Sequence, residues 1–256
     1  MTVARARREK RVPTIAQVEL VLCAMPGETI IQRRDRALIA FTAITGARVG
    51  ALSSFRIGDV DPAQGFVDQD ARHVRTKFAK TFRTWFMPVS GRALEIVRDW
   101  HDELSGESAR GPADPLFPAT AIALDEAGAF APVGLTRVGW SGSGPVRDAF
   151  KRGFALAGLP YFNPHSFRDM LVRHAMMLDL TPEAMKAWSQ NLGHAEVMTT
   201  LTSYGSVPTH RQGELIRSLS TGQQSVVHQE QLAALEALVA TMKSGGNLLP
   251  GATDAR

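Results

Sequence analysis

Apolar residues recur at intervals of three and four along most of the chain, the spacing that places them on one face of a helix. Thr14 is a suitable N-cap for the first of these segments, and Pro26-Gly27 ends it. Gly46 ends the second, and a short third segment starts near Arg48. The predicted helices cover 14–25, 33–45, 90–104, 144–157, 164–179, 182–192, 195–203, 208–219 and 225–243.

The pattern changes between 58 and 89, where turn signals alternate with β-prone residues. Stretches around 65–77 and 82–89 predict a small antiparallel sheet with a tight turn near Phe78–Thr81. The segment 105–140 is rich in Gly, Pro, Ala and Ser, which favours a long connection with little regular structure. The fold class expected is mainly α with a small antiparallel β-sheet (α+β).

The same pattern divides the chain into four parts. Residues 1–12 form a basic N-terminal arm, and 13–222 form one compact domain. Residues 223–244 form a C-terminal helix whose apolar stripe fits either its own domain or a second copy of the chain. Residues 245–256 form a flexible tail.

The amino-acid composition limits the compartment and the type of partner that we expect for this protein. The chain has 256 residues, of which 44% are hydrophobic, and a single cysteine, Cys23, so it forms no internal disulfide. It has neither a signal-peptide pattern nor an apolar run long enough to span a membrane, and we expect a cytoplasmic, nucleoid-associated protein of a prokaryote. Net charge is +4, with arginine well in excess of lysine, which permits a polyanionic partner.

Several proton-handling residues fall at predicted turns. Asn163 followed by Pro164 predicts a helix start, with His165 and Arg168 in its first turn, where unpaired N–H groups favour anions. His194 follows Gly193, a residue suited to a helix C-cap. One short helix later comes Tyr204, for which a half-buried packing role is the alternative. Metal-site and nucleotide-loop motifs are absent, so we expect no metal and no cofactor.

These residues, taken with an upstream turn, resemble the tyrosine recombinase (phage integrase) family. Its first catalytic arginine follows a T-G-x pattern, as Arg48 does in Thr45-Gly46-Ala47-Arg48. Its second motif is similar to "PHSFRDML" and "LGHAEVMTTLTSYG". Its hairpin lysine lies eight residues before a proline, which matches Lys80 and Pro88, with Lys77 as the rival. The resemblance covers about residues 14–220 and implies the fold of that family's catalytic domain, with the catalytic set Arg48, Lys80, His165, Arg168, His194 and Tyr204.

The family chemistry is cleavage and rejoining of a DNA phosphodiester through a 3′-phosphotyrosyl link. By the resemblance, Arg48 and Arg168 would bind the non-bridging oxygens, and Tyr204 would attack the phosphorus. His165 would assist deprotonation of the phenol, and His194 would donate a hydrogen bond to the phosphate. Lys80 would protonate the leaving 5′-oxygen. The expected partners are double-stranded DNA and other copies of the chain on that DNA.

Three departures leave alternatives open. Ala51 stands where the family often has an acid, and the interval from His194 to Tyr204 is one residue longer than usual. The sequence starts where the family's catalytic domain starts, so we expect weak, salt-sensitive DNA binding. An inert DNA-binding regulator and a relaxing enzyme of the type IB topoisomerase kind are the alternatives. Residues Lys77, Arg147 and Lys151 are further candidates for DNA contacts, although a solvated role suits them almost as well.

Overall fold

The computed structural model describes residues 11–106, 110–124, 128–178, 180–194, 212–213 and 216. Those up to His194 belong to one compact unit. Its helices are α1 (Ile15–Ala24), α2 (Ile30–Thr45), α3 (Val49–Leu52), α4 (Gly91–Ser105), α5 (Gly144–Leu156), α6 (Ser166–Met177) and α7 (Pro182–Asn191). Its strands are β1 (Val60–Asp61), β2 (Phe66–Gln69), β3 (Phe82–Trp85), β4 (Pro118–Leu124) and β5 (Phe130–Gly139). The mainly α class with small antiparallel sheets is confirmed.

The centre of the domain is α2, which contacts α1, α4, α5 and α6. From Ala37 to Thr45 every residue of this helix is buried, and the Phe41 ring makes edge-to-face contacts with Phe55, Phe86 and Phe117. Each such aromatic pair adds about 1 kcal/mol beyond area burial. A helix apolar on all sides is stable only inside a core, and α2 therefore supplies the fixed frame from which Arg48 projects.

Helix starts agree with local capping chemistry. Thr14 caps α1 through a capping box with Gln17, as predicted. The prediction that the second helix starts at 33 was wrong by three residues, because Thr29 and Gln32 form a second capping box.

Helix α6 also starts later than predicted, at Ser166 rather than 164. The Ser166 N–H donates to both the main-chain oxygen and the side-chain Oδ1 of Asn163, so Asn163 caps a tight turn that precedes the helix. Pro164 and His165 lie in that turn, and the helix ends at Met177 rather than 179.

The first sheet has the order β1-β2-β3 and is antiparallel, with Phe66 opposite Trp85 and Gln69 opposite Phe82. The predicted strand was too long, since 70–77 is not extended. Asp70 ends the ladder because its side chain accepts the backbone N–H of Arg72, and its main-chain oxygen accepts from Val74 at 2.7 Å. Residues 70–81 therefore form a loop, with a short 3₁₀ turn at Lys77–Ala79, rather than a tight hairpin.

The expectation of an irregular 105–140 segment was wrong, because β4 and β5 form an antiparallel hairpin within it. Glycine, alanine and proline hide the strand pattern, and Pro118 takes the first strand position, where its missing N–H is tolerated. Buried Arg34 fixes this hairpin to α2 by donating to the Pro118 carbonyl at 2.9 Å. Arg34 and Arg152 both donate to the Asp35 carboxylate, at 2.7 and 2.6 Å.

None of the described helices has the length and apolar character required to cross a lipid bilayer.

Candidate anion site

Two glycine turns bring three side chains of the predicted set together. Gly46, the C-cap of α2, adopts the left-handed conformation with φ of 60° and leads directly into Ala47 and Arg48. A Cβ on Gly46 would lie 2.8 Å from Leu192 Cδ2 and 2.9 Å from Leu171 Cδ1. Only glycine meets both conditions here, so the turn that carries Arg48 packs closely on α6 and on the end of α7.

The second turn follows α7. Gly193 has φ of 68°, as its predicted C-cap role requires, and a Cβ there would lie 2.7 Å from the Phe82 ring at the start of β3. The turn thus lies directly against the sheet, and it carries His194.

Helix α7 is also hydrogen-bonded to the edge of the sheet. The Asn191 side chain accepts the Trp85 backbone N–H at 2.7 Å and donates to the Trp85 carbonyl at 2.8 Å. Thr84 donates to the Asn191 main-chain oxygen at 3.1 Å. These contacts satisfy the open edge of β3 and fix the position of the Gly193 turn.

Arg168 is the centre of the site. Only 4% exposed, it reaches inward from α6 and donates to the Gly46 carbonyl at 2.8 Å and the Leu192 carbonyl at 2.5 Å. Its Nη2 atom is also 3.0 Å from His194 Nε2. Because a guanidinium only donates, His194 Nε2 is the acceptor, and the imidazole is neutral with its proton on Nδ1.

The positive charges of this cluster repel one another. Burial, then the neighbouring charge of Arg48, lowers the pKa of Arg168 to about 9. Burial also lowers the pKa of Arg48. Burial, followed by Arg168 and Arg48, lowers the pKa of His194 to about 4, and Asp169 opposes this in part. Such shifts mean that positive charge is unfavourable here until an anion enters.

Within the described part of the chain, neither Arg48 nor Arg168 forms an ion pair. Ala51 is 1% exposed in the core, so an acid at this position could not lie in water beside Arg48. Two guanidinium groups that lie close together, neither in an ion pair among the described residues, form with the adjacent imidazole a site for a phosphate-like anion.

We predict that sulfate stabilises this protein through the cluster. At tenfold excess over the dissociation constant a bound anion adds about 1.4 kcal/mol, or roughly 3–5 °C in unfolding temperature for a domain of this size. The measurement is thermal unfolding in sodium sulfate and in sodium chloride at equal ionic strength. Sulfate also stabilises proteins by exclusion from their surface. The control is therefore Arg48→Gln, and an equal gain in that variant would refute specific binding.

A second prediction concerns the stability of the protein at low pH. Since the folded pKa of His194 is about 4 and an unfolded histidine titrates near 6.5, the unfolded state takes up the extra proton between these values. The free energy of unfolding therefore falls as pH drops from 6.5 towards 4, and the full contribution is present above 6.5. Urea denaturation across this range should show a shallower pH dependence for His194→Gln than for the unmodified protein. Identical slopes would show that His194 is not the group responsible.

The remaining predicted residues lie in different surroundings. His165 is exposed in the turn before α6, whereas Arg168 is buried, and the charge of His165 contributes to the low pKa of His194. Lys77 and Lys80 are exposed on the loop 70–81. Arg147 and Lys151 are exposed on α5, where Lys151 pairs with Asp148 at 3.0 Å.

Tyr204, the helices predicted over 195–203 and 225–243, and most of 208–219 lie outside the described residues. Sequence reasoning missed Phe82 and Asn191, which position the His194 turn. Their partners are more than 100 residues away in the chain, so no local pattern indicates them.

Comparison with known proteins supports the fold. No protein-family model and no curated protein matches this sequence. Solved structures do match. The XerA recombinase superposes with a TM-score of 0.57 at 18% identity, over 88% of this chain and 67% of that one. XerH site-specific recombinase, bound to its difH substrate, gives a TM-score of 0.51 at 16% identity, over 81% and 55%.

The Tn1549 transposon integrase, in complex with transposon right end DNA, gives a TM-score of 0.51 at 15% identity, over 85% of this chain and 69% of that one. This chain thus spans between about half and two thirds of the length of these structures. The protein has the fold of the tyrosine recombinase catalytic domain.

Proposed function

We propose that this protein is a site-specific DNA recombinase that cuts and rejoins DNA through a 3′-phosphotyrosyl intermediate. The observation that carries the proposal is the cluster of Arg48, Arg168 and His194, in which neither guanidinium forms an ion pair among the described residues. Two guanidinium groups suit one phosphodiester, and the fold is one in which solved recombinases and integrases are found. The fold alone supports a role in DNA recombination in general.

In the proposed reaction, Arg48 and Arg168 bind the non-bridging oxygens of the scissile phosphate and neutralise charge that builds in the transition state. Tyr204 Oη attacks phosphorus and releases its proton towards His165, while the bond from phosphorus to the 5′-oxygen breaks. Lys80, or its rival Lys77, delivers a proton to that oxygen. One phosphodiester replaces another, so the reverse attack by a 5′-hydroxyl rejoins a strand.

His194 has a conditional role. In the free protein its Nε2 atom accepts from Arg168. A bound phosphate supplies the negative charge that the cluster lacks, which raises the pKa of His194 and allows Nε2 to take up a proton and donate to a phosphate oxygen. Binding of DNA is therefore coupled to proton uptake at this residue.

The proposed partners are double-stranded DNA, as for XerH bound to its difH substrate, and further copies of this chain on that DNA, as in the lambda integrase dimer bound to a core site. We propose contacts from Lys77, Arg147 and Lys151, and a cytoplasmic, nucleoid-associated setting. Residues 223–244 are the proposed segment of contact between copies.

A second candidate is an inert DNA-binding regulator of the same fold. Buried Ala51 favours it, because Arg48 then lacks the acidic partner that orients the arginine in many relatives. A relaxing enzyme of the type IB topoisomerase kind is the third candidate.

The test is covalent capture. A pool of nicked duplexes with randomised sequence around the nick loses its short fragment after cleavage, so that the protein stays attached to the DNA. Recombinase activity predicts a denaturation-resistant adduct, enrichment of one sequence among the captured DNA, and joining of two duplexes that carry it. Plasmid relaxation without sequence enrichment would favour the topoisomerase-like activity. DNA binding with no adduct would favour the inert regulator.

A further inference from the structure

The loop 70–81 connects the two halves of the anion site. On one side a Cβ on Gly50, two residues after Arg48, would lie 3.3 Å from the Arg75 carbonyl. The Arg75 N–H also donates to Ser54 Oγ at 2.8 Å. On the other side the loop enters β3 at Phe82, whose ring contacts Gly193 beside His194. Both sides of the loop therefore border the turns that carry Arg48 and His194.

Phe78 is at the middle of this loop and turned to solvent. Its side chain is 78% exposed, and its backbone adopts the left-handed conformation with φ of 61° and ψ of 28°. The next residue, Ala79, has φ of 49°. Two consecutive non-glycine residues with left-handed φ are uncommon, and a bulky aromatic in this conformation is an outlier of the kind that clusters at functional sites. Contact between this apolar ring and water is unfavourable, so exposure of the ring does not stabilise the free protein.

Lysines flank Phe78 in the sequence, and one of them lies against its ring. The Lys77 ammonium lies 4.8 Å from the Phe78 ring centroid, and Lys80 is exposed two residues later. No acid occurs between Ala71 and Arg83. An exposed aromatic ring with lysines on both sides of it in the sequence suits a nucleotide, because the ring can stack on a base while ammonium groups approach the flanking phosphates.

We infer that Phe78 stacks on a nucleobase that has an uncovered face next to the scissile phosphate, and that this contact favours DNA with unpaired or freshly cut bases. The inference rests on the proposed function. In an intact duplex both faces of each base are covered by neighbours, so a ring that stacks on a base needs a distorted step or a strand end. Cleavage of the phosphodiester produces such an end.

The experiment compares affinities by fluorescence anisotropy in a Tyr204→Phe background, which prevents cleavage. The probes are two labelled duplexes of identical length, one fully matched and one with a few adjacent mismatched pairs at its centre. A lost base–aromatic stack corresponds to at least about a fivefold loss, so Phe78→Ala should weaken binding of the mismatched duplex by that factor or more. Binding of the matched duplex should change by less than about twofold. Phe78→Trp should preserve both affinities, and mismatched DNA should quench its added fluorescence.

Phe130→Ala is the matched control, because Phe130 is an equally exposed phenylalanine, 81% exposed on β5, and should leave both affinities unchanged. Phe78→Gly separates an effect on binding from an effect on folding. Because glycine tolerates φ of 61°, the unfolding temperature of this variant should equal or exceed that of the parent. Its preference for mismatched DNA should nevertheless be lost. If Phe78→Ala weakens binding of both duplexes equally, or of neither, the stacking inference is wrong. The proposed function still stands in that case, provided that covalent capture succeeds. Failure of the parent to bind either DNA overturns the proposed function as well.

Discussion

Replacement of Tyr204 by phenylalanine is expected to abolish the covalent protein–DNA adduct while DNA affinity stays within about twofold, because the change removes one oxygen atom and no charge. The phenol oxygen is the only atom lost, and the proposed intermediate is an ester of that oxygen. Without it no bond to phosphorus forms, and the effect is a complete loss rather than a slower rate. The measurement is denaturing electrophoresis of protein incubated with nicked duplexes, together with an anisotropy titration on the same DNA.

The chain provides a matched control for this substitution. Tyr161, the only other tyrosine, is 43% exposed, and Tyr161→Phe should form adduct at the rate of the unmodified protein. Peptide mapping of the captured complex should assign the attached nucleotide to Tyr204. An adduct that persists in Tyr204→Phe, or that disappears in Tyr161→Phe, would contradict the assignment of the nucleophile.

Features with a local cause could be predicted from the sequence. Helix α1 is capped by Thr14 as expected, and Gly46 and Gly193 both adopt the left-handed conformation that ends a helix. Each of these depends on side chains within four residues, so the pattern alone is sufficient. The first turn of α6 was less predictable, because Pro164 and the Asn163 side chain favour a separate turn before the helix.

Features that depend on contacts between residues far apart in the chain could not be predicted from the sequence. The β4–β5 hairpin has a composition typical of a loop, and its anchor to α2 is Arg34, which bonds a carbonyl 84 residues away. The contact between Asn191 and Trp85 spans 106 residues. Spacing of hydrophobic residues indicates which face is buried but not which partner buries it.

The candidate site shows the same division. H-x-x-R at 165–168 indicated an anion site on one helix face; Arg168 is buried, and His165 lies exposed in the turn before the helix. The grouping of Arg48 with Arg168 and His194 came from the order of motifs, since no spacing rule relates residues 120 positions apart. Geometry then added what the motifs lacked, namely the carbonyls that orient Arg168 and the neutral state of His194.

The second large effect is expected at Arg168. We predict that Arg168→Met lowers the rate of adduct formation by about 10²–10⁴, in the range found for loss of a charged group that stabilises a phosphoryl or oxyanion transition state. Arg168→Lys should also lower the rate of adduct formation by a large factor. A lysine ammonium cannot bond the Gly46 and Leu192 carbonyls and the phosphate at the same time. The measurement is single-turnover cleavage, at saturating protein, of the duplex enriched by covalent capture.

Stability distinguishes a catalytic role of Arg168 from a structural one. Burial has already lowered the pKa of this guanidinium to about 9, so its charge costs free energy in the folded protein. An apolar side chain of similar length removes that cost and leaves two carbonyls without a donor, and these effects oppose each other. Arg168→Met should therefore change the unfolding temperature far less than it changes the rate. Arg92→Met on α4, with a half-exposed side chain outside the cluster, is the control and should retain full activity. Cleavage by Arg168→Met within tenfold of the unmodified protein would remove Arg168 from the mechanism, and with it the anion site as the place where the phosphodiester is broken.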